Sequence, residues 1–221
     1  MSVPSISIIG AGNIGSAVAG LAVKAGASTQ VLVRDTSKAT GPSGADVAEI
    51  GSPLTGDIVV LALPYAAIDD VIATYGAQAF TGKVVVDPTN PLDFTTLDSL
   101  VPAGSSAAAE LAVRLPDAQV VKAFNTVFAA VLASGTIGAR PATVLAASDS
   151  AEAKTSLRSF VEAAGLTWAD AGELKRAERL EALGALNIAL GITEQVAWTG
   201  GLAVVSERGS SKARIRLPVR R

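Results

Sequence analysis

The 221 residues, 22.1 kDa, suffice for one sizeable α/β domain and are too few for two full ones. Lys and Arg number 18 and Asp and Glu 20, for a net charge of −2, and the 49% hydrophobic share against 17% charged excludes both a disordered chain and a polyanion-binding domain. Cysteine and histidine are absent, which excludes disulfides, thiolate nucleophiles, zinc centres built on those side chains and imidazole proton transfer, and no metal site is expected.

Charge is unevenly placed along the chain. Residues 1–206 carry 12 basic and 19 acidic side chains, whereas 207–221 carry 6 basic and 1 acidic. The expected organisation is therefore one domain over 1–206 and a basic tail over 207–221. The tail reads as a flexible terminus, with Arg214 to Leu217 as an edge strand or a neutralising arm for an acidic partner protomer as the sharper alternatives. Nothing in it beyond charge points to nucleic acid. Ser2 to Val23 bears no charge, yet Pro4, glycines at 10, 12, 15 and 20 and recurrent serines make it too polar for lipid, and no basic segment precedes it. The reading is a soluble, cytoplasmic protein that enters no membrane.

In chain order, Ile6 to Ile9 is a short β-branched run that predicts a buried strand. A glycine turn follows, and then Ile14, Ala17, Val18, Leu21 and Ala22 recur at helical spacing up to Ala25-Gly26. Thr29 to Val33 is a second strand and Asp46 to Ile50 a weak third. Asp57 to Leu63 is the clearest buried strand, stopped by Pro64. Helix is predicted for Ala66 to Ala79, strand for Lys83 to Asp87, helix for Ser105 to Leu115, strand for Val120 to Phe124 and a short helix for Phe128 to Ser134. Strand Thr143 to Ala147, helix Ala151 to Ala164, strand Thr167 to Ala169 and a long apolar helix over about Leu174 to Val196 complete the chain. Strands alternating with helices at these intervals predict parallel crossovers: a doubly wound, mostly parallel α/β sheet of the Rossmann type, with a carboxyl-terminal helical extension.

Gly10-Ala11-Gly12-Asn13-Ile14-Gly15 fits G-x-G-x-x-G in the required setting, after a strand and opening a helix. Gly10 permits the tight turn, Gly12 lets a pyrophosphate approach the backbone, and Gly15 lets helix and strand pack closely. The helix amino terminus adds free amides and a positive dipole end. About 20 residues on, where an acid would bond the ribose hydroxyls of NAD, the second strand ends at Val33 and Arg34. Arg34 and Lys38 suit the extra phosphate of NADP, although Asp35 would repel it if turned inward.

Three further strand ends should line the crevice: Leu63-Pro64-Tyr65, Pro88-Thr89-Asn90, and Asn125-Thr126-Val127-Phe128-Ala129. Asn90, Asn125, Thr126 and Val127 are candidates for the second substrate, and the polar ones among them equally suit turn formation. Asp170-Ala171-Gly172-Glu173 is a rim candidate or a plain helix cap.

Taken together, these motifs resemble the coenzyme F420-dependent NADP oxidoreductases. The likeness is carried by Gly10 to Gly15, by Arg34 with Lys38-Ala39, by Leu63-Pro64 with Tyr65, by Lys83-Val84-Val85-Val86 leading to Pro88, and by Asp170-Ala171-Gly172 ahead of Arg179-Leu180-Glu181. The resemblance implies that Ala11, Gly12, Asn13 and Ile14 hold the pyrophosphate, Val33, Arg34 and Lys38 the adenosine phosphate, and Tyr65 and Ala129 the nicotinamide half. It also implies NADP(H) as cofactor and coenzyme F420 as co-substrate; the expectation of a homodimer comes from the apolar composition and the apolar terminal helix, which would close the site or pair with a second subunit. Asn125, followed by Thr126, stands where the family sets a histidine against the deazaflavin, so the second substrate stays open.

Hydride transfer needs no protein nucleophile, which suits a chain without histidine or cysteine. The expected activity is transfer between NADPH and a deazaflavin or flavin-like acceptor. A reductase of imines or small carbonyls and a non-catalytic NADP-binding redox sensor are the alternatives. A ketone acceptor requires a proton donor, for which the predicted crevice offers only Tyr65.

Overall fold

In a computed structural model the described residues are 3–38 and 41–205, with Lys38 described for its backbone only. The basic tail, with its edge-strand alternative, lies outside them. The elements are β1 (Ile6–Ile9), α1 (Asn13–Lys24), β2 (Thr29–Val33), β3 (Asp46–Glu49), β4 (Ile58–Leu61), α2 (Ile68–Tyr75), β5 (Val84–Asp87), α3 (Ala107–Arg114), β6 (Gln119–Ala123), α4 (Ala129–Ser134), β7 (Thr136–Ile137), β8 (Arg140–Pro141), β9 (Thr143–Ala147), α5 (Ala151–Ala163), β10 (Thr167–Gly172) and α6 (Ala177–Ile192).

Eight strands form one sheet in the order β3-β2-β1-β4-β5-β6-β9-β10. The first six are parallel, the doubly wound order in which consecutive strands run to opposite sides of β1 and leave a crevice at its carboxyl end. Side chains alternate between two cores, as the pleat requires. Ile6, Ile8, Val31, Ile58 and Val60 join α1, α4 and α5 on one face. Ile9, Leu32, Val59, Leu61 and Val85 meet α2 and α3 on the other. Burial on both faces is why these strands read as unbroken apolar runs.

β9 runs antiparallel to β6, and β10 is parallel to β9. A six-residue helix such as α4 covers about 9 Å, short of the roughly 16 Å needed to carry the chain back along a five-residue strand, so β9 starts from the same end at which β6 stops. The small β7–β8 hairpin, which the hydrophobic pattern did not indicate, makes the reversal around Gly138 (φ 57).

Three predicted elements are corrected. β4 ends at Leu61, before Pro64, because the Leu63 N–H turns back to the Leu61 carbonyl. The helix expected to Ala79 stops at Tyr75, where Gly76 (φ 72, ψ 148) redirects the chain and a 3-10 turn, Ala77–Phe80, drives Phe80 into the second core. The terminal helix runs from Ala177 to Ile192. Its buried face is Ala177, Leu180, Glu181, Gly184, Asn187 and Gly191, while Leu186 and Ile192 face solvent.

Candidate active site

The three glycines of the first turn are needed for different reasons. Gly10 has φ 104, and a Cβ there would collide with the Ala62 carbonyl beyond β4. A Cβ on Gly15 would collide with the carbonyl of Gly10, so glycine lets α1 settle on the turn. Gly12 has ordinary extended backbone (φ −72, ψ −169), and a Cβ would meet nothing within 4 Å. Neither strain nor internal packing asks for glycine at 12; the cleared space faces outward, where a phosphate would approach. No side chain caps α1 and its first turn holds no acid. Its first intrahelical bond runs from the Ser16 N–H to Gly12 O, which leaves the amides of Asn13, Ile14 and Gly15 for an anion. This corner fits the pyrophosphate of a dinucleotide.

Beyond β2, Val33 is buried at the strand end, Arg34 is exposed, and Lys38 closes the 3-10 turn Thr36–Lys38. The Asp35 carboxylate accepts hydrogen bonds from Ser37 N–H (3.0 Å) and Ser37 Oγ (2.5 Å). It is thus engaged in capping that turn.

A cleft of about 890 Å³ opens over the carboxyl edge of the sheet. One wall is Ala11, Gly12, Asn13 and Ile14 with Ser16 and Ala17 of α1. Its floor is Pro88 and Asn90 after β5 and Asn125 and Val127 after β6. Phe128 with Ala129, Ala130 and Ala133 of α4, then Ile188, Phe94 and Trp198, close it. None of these seventeen side chains is ionisable. Among the candidates read from sequence, Ala11 to Ile14, Pro88, Asn90, Asn125, Val127 and Ala129 come together here. Val33, Arg34, Leu63, Pro64, Tyr65 and Thr126 lie outside the lining.

Tyr65, expected beside the nicotinamide, packs against the second core and donates its hydroxyl to Glu110 Oε2 of α3 at 2.5 Å. Burial, with the Glu110 hydrogen bond and charge beside it, pushes the phenol up to about 12. Asp170 is likewise away from the cleft, in β10, paired with Lys154 at 3.0 Å and capping Gly172.

The cleft floor is tightly organised. Asn90 Nδ2 donates to the Asn125 carbonyl (2.8 Å), and Asn125 Nδ2 donates to Asn90 Oδ1 (2.9 Å) and to the Leu180 carbonyl of α6 (2.8 Å). Gly184 of α6 lies against this pair, and a Cβ there would collide with the Asn90 amide. Phe124, just before Asn125, is fully buried with φ 68, a conformation costly for an aromatic residue and tolerated where the surroundings enforce it. Asn125 Oδ1 is buried with no hydrogen-bond partner among the described residues. It is an acceptor suited to a carboxamide N–H such as that of nicotinamide.

Beneath the floor is a charge cluster that the sequence reading missed. Lys122, on β6, is wholly buried, donates to Asp87 Oδ2 (2.9 Å) and the Thr89 carbonyl (2.6 Å), and is ion-paired with Glu181 Oε1 at 2.7 Å. Glu181 Oε2 also accepts the Ala107 N–H at the start of α3, at 3.2 Å. Burial raises the Glu181 carboxyl above its ordinary value against the pull of Lys122. The signal was a lone lysine inside the apolar run Val120-Val121-Lys122-Ala123-Phe124, since a strand buried on both faces admits a cation only when paired.

Residues 5–91, which contain the glycine turn, Arg34 and the strand end at Pro88, match the family described as NADP oxidoreductase, coenzyme F420-dependent. The fold is shared with a proposed F420-dependent NADP reductase from Arthrobacter sp. FB24: TM-score 0.78, 22% identity, 92% of this chain and 100% of that one. A hypothetical protein from Sinorhizobium meliloti, SMa0349, aligns with TM-score 0.70 and 28% identity over 77% of this chain and 85% of its own. The imine reductase of Myxococcus stipitatus shares the fold at TM-score 0.60 and 21% identity, over 87% of this chain and 61% of that one. The rat metalloreductase STEAP3 is 30% identical over 186 residues, 81% of this chain and 36% of that protein, so the chain spans about a third of that curated relative. Among the described residues no helix is long and apolar enough to cross a membrane. Over residues 5–91, 87 of the 221, the chain is thus similar to the coenzyme F420-dependent NADP oxidoreductases.

Proposed function

We propose that the chain transfers hydride between NADPH and a flat deazaflavin or flavin-like acceptor, with coenzyme F420 as the first candidate. The observation that carries this is the cleft itself: a dinucleotide corner at one end and, among the described residues, a lining without one ionisable side chain. When bound, the nicotinamide supplies the hydride, NADPH becoming NADP⁺ as the acceptor ring takes those two electrons and a proton from water. The amides of Asn13 to Gly15 bind the pyrophosphate, Arg34 binds the adenosine phosphate, and Asn125 Oδ1 orients the carboxamide. The alanines of α4 and Ile188 of α6 exclude water. An acceptor that spreads the incoming charge over a conjugated ring needs no general acid in the cleft, whereas a ketone does. Tyr65 does not serve, since its proton is committed to Glu110.

An imine reductase is the second reading, because an iminium carries its own charge and also needs no donor from the lining. Steady-state oxidation of NADPH by coenzyme F420, FMN and a cyclic imine, compared side by side, tests both. Turnover with F420 or FMN supports the proposal, turnover with the imine alone moves the assignment to the second reading, and saturable NADPH binding without turnover points to a sensor.

A further inference from the structure

The geometry points to an acceptor-binding wall made by Phe94 and Trp198, two aromatic side chains that hold a flat conjugated ring at the outer side of the cleft. The inference rests on the hydride-transfer reading above and names the residues on the acceptor side.

Both rings line the cleft and both are unusually open, Phe94 at 70% exposure and Trp198 at 51%. Exposed aromatic surface at a cleft mouth marks a place where something flat and apolar docks. Neither ring is on a loose segment. The Phe94 loop is tied by Asp93 N–H to the Asp98 carbonyl (2.9 Å), by Leu97 N–H to the Asp93 carbonyl (2.6 Å), by Thr95 N–H to Asp93 Oδ1 (2.7 Å) and by the Leu92–Ser99 bridge. Trp198 packs on Phe128 with ring centroids 4.7 Å apart, and it lies so close to α6 that a Cβ on Gly191 would stand 3.1 Å from its ring. Rigid presentation lowers the entropy lost when a ligand docks.

The chemistry of the occupant follows from what surrounds the rings. Among the described residues the cleft is lined by no cation or carboxylate, which suits a docking portion that is uncharged or charge-delocalised. Asn90 and Asn125 are the polar groups of the floor, and both of Asn125's amide protons are spent within the protein. A volume of about 890 Å³ lies near the upper end for ligand pockets, consistent with two ring systems face to face. The wall thus selects flat conjugated acceptors over small aliphatic carbonyls.

The test uses the full-length protein with Trp198→Ala, Trp198→Phe and Phe94→Ala, none of which touches the dinucleotide corner. Tryptophan fluorescence is titrated with coenzyme F420 and with FMN, with and without NADP⁺, and Trp168, on β10 against the first core, is the internal reference. Expected are quenching that disappears with Trp198, an acceptor KM or Kd about 10-fold higher in either alanine variant, rescue by Trp198→Phe, and unchanged NADPH affinity. Turnover by the wild type with acceptor constants unaltered in both alanine variants overturns the wall and leaves the hydride reading standing. Quenching through Trp198 without turnover keeps the wall and removes the reading. Failure of both rings to bind the wild type removes both. A Trp198→Ala variant that changes only the oligomeric state, followed by light scattering, assigns the patch to a subunit contact and overturns the wall.

Discussion

Lys122 Nζ stands 2.7 Å from Glu181 Oε1, an ion pair between the sixth strand and the last helix in which the lysine has no solvent exposure and Asp87 supplies a second buried carboxylate. Removing the cation leaves two carboxylates facing each other in a low dielectric. Lys122→Met is therefore expected to cost about 3–5 kcal/mol, the range for breaking a buried pair by removing one partner. The urea midpoint measures it. Asp87→Asn with Glu181→Gln in the Lys122→Met background should recover much of the loss, and a triple variant no better than the single one would show that packing, not charge, sets the cost.

The same cluster gives stability a pH dependence of definite sign. Burial raises the folded-state pKa of Glu181 above its ordinary 4.5, so the folded protein holds a proton there that the unfolded chain has released. The associated stability is fully present below 4.5 and is lost as pH rises through the folded value. Glu181→Gln, neutral throughout, is expected to flatten the decline above pH 4.5 in chemical denaturation at a series of pH values; an unchanged slope would place the proton elsewhere.

The glycines of the first turn separate cofactor binding from folding. Gly12→Val adds side chain to open space and is expected to leave the circular dichroism and Tm near those of the wild type while abolishing NADPH binding. Gly15→Val drives a branched side chain into the Gly10 carbonyl and is expected to lower Tm sharply. Tight NADPH binding by Gly12→Val would move the pyrophosphate away from this corner.

Most of the sheet was legible because strands buried on both faces leave short apolar runs, as Ile6 to Ile9 and Ile58 to Leu61 show. The glycine turn was legible because its spacing is set by local backbone clashes. Long-range features were not. The antiparallel entry of β9 follows from the shortness of α4, and the polar buried face of α6 depends on Asn90 and Asn125, which precede Gly184 by 94 and 59 residues. The apolar character of the last helix says nothing of which face turns inward: Leu186 and Ile192 face solvent, whereas Glu181, Gly184 and Asn187 meet the site. The position of Tyr65 after a strand end says nothing of the Glu110 carboxylate that draws its hydroxyl toward α3.

Tyr65→Phe decides whether a phenol takes part in the chemistry. With the hydroxyl bonded to Glu110 and its pKa near 12, it is expected to serve structure alone. The variant should keep kcat within about threefold, less than the roughly 10²-fold or more expected for loss of a general acid, and lose about 1 kcal/mol of stability. A collapse in kcat with stability intact would bring Tyr65 into the cleft and favour a carbonyl acceptor.

Arg34 carries the choice between NADP and NAD. Its side chain is exposed beyond β2, and Asp35, the carboxylate that would oppose a phosphate there, is drawn onto Ser37 instead. A charge-assisted contact to the adenosine phosphate is worth about 1.5–3 kcal/mol, or roughly 10- to 150-fold in affinity. Arg34→Glu is expected to weaken NADPH by at least that factor, since repulsion adds to the lost contact, while NADH, which lacks the phosphate, changes little. Raising the salt concentration should weaken NADPH in the wild type more than in the variant, because screening acts on the attraction that the variant no longer has. Equal losses for NADPH and NADH would show that Arg34 does not touch the phosphate and that discrimination lies elsewhere on the β2 rim.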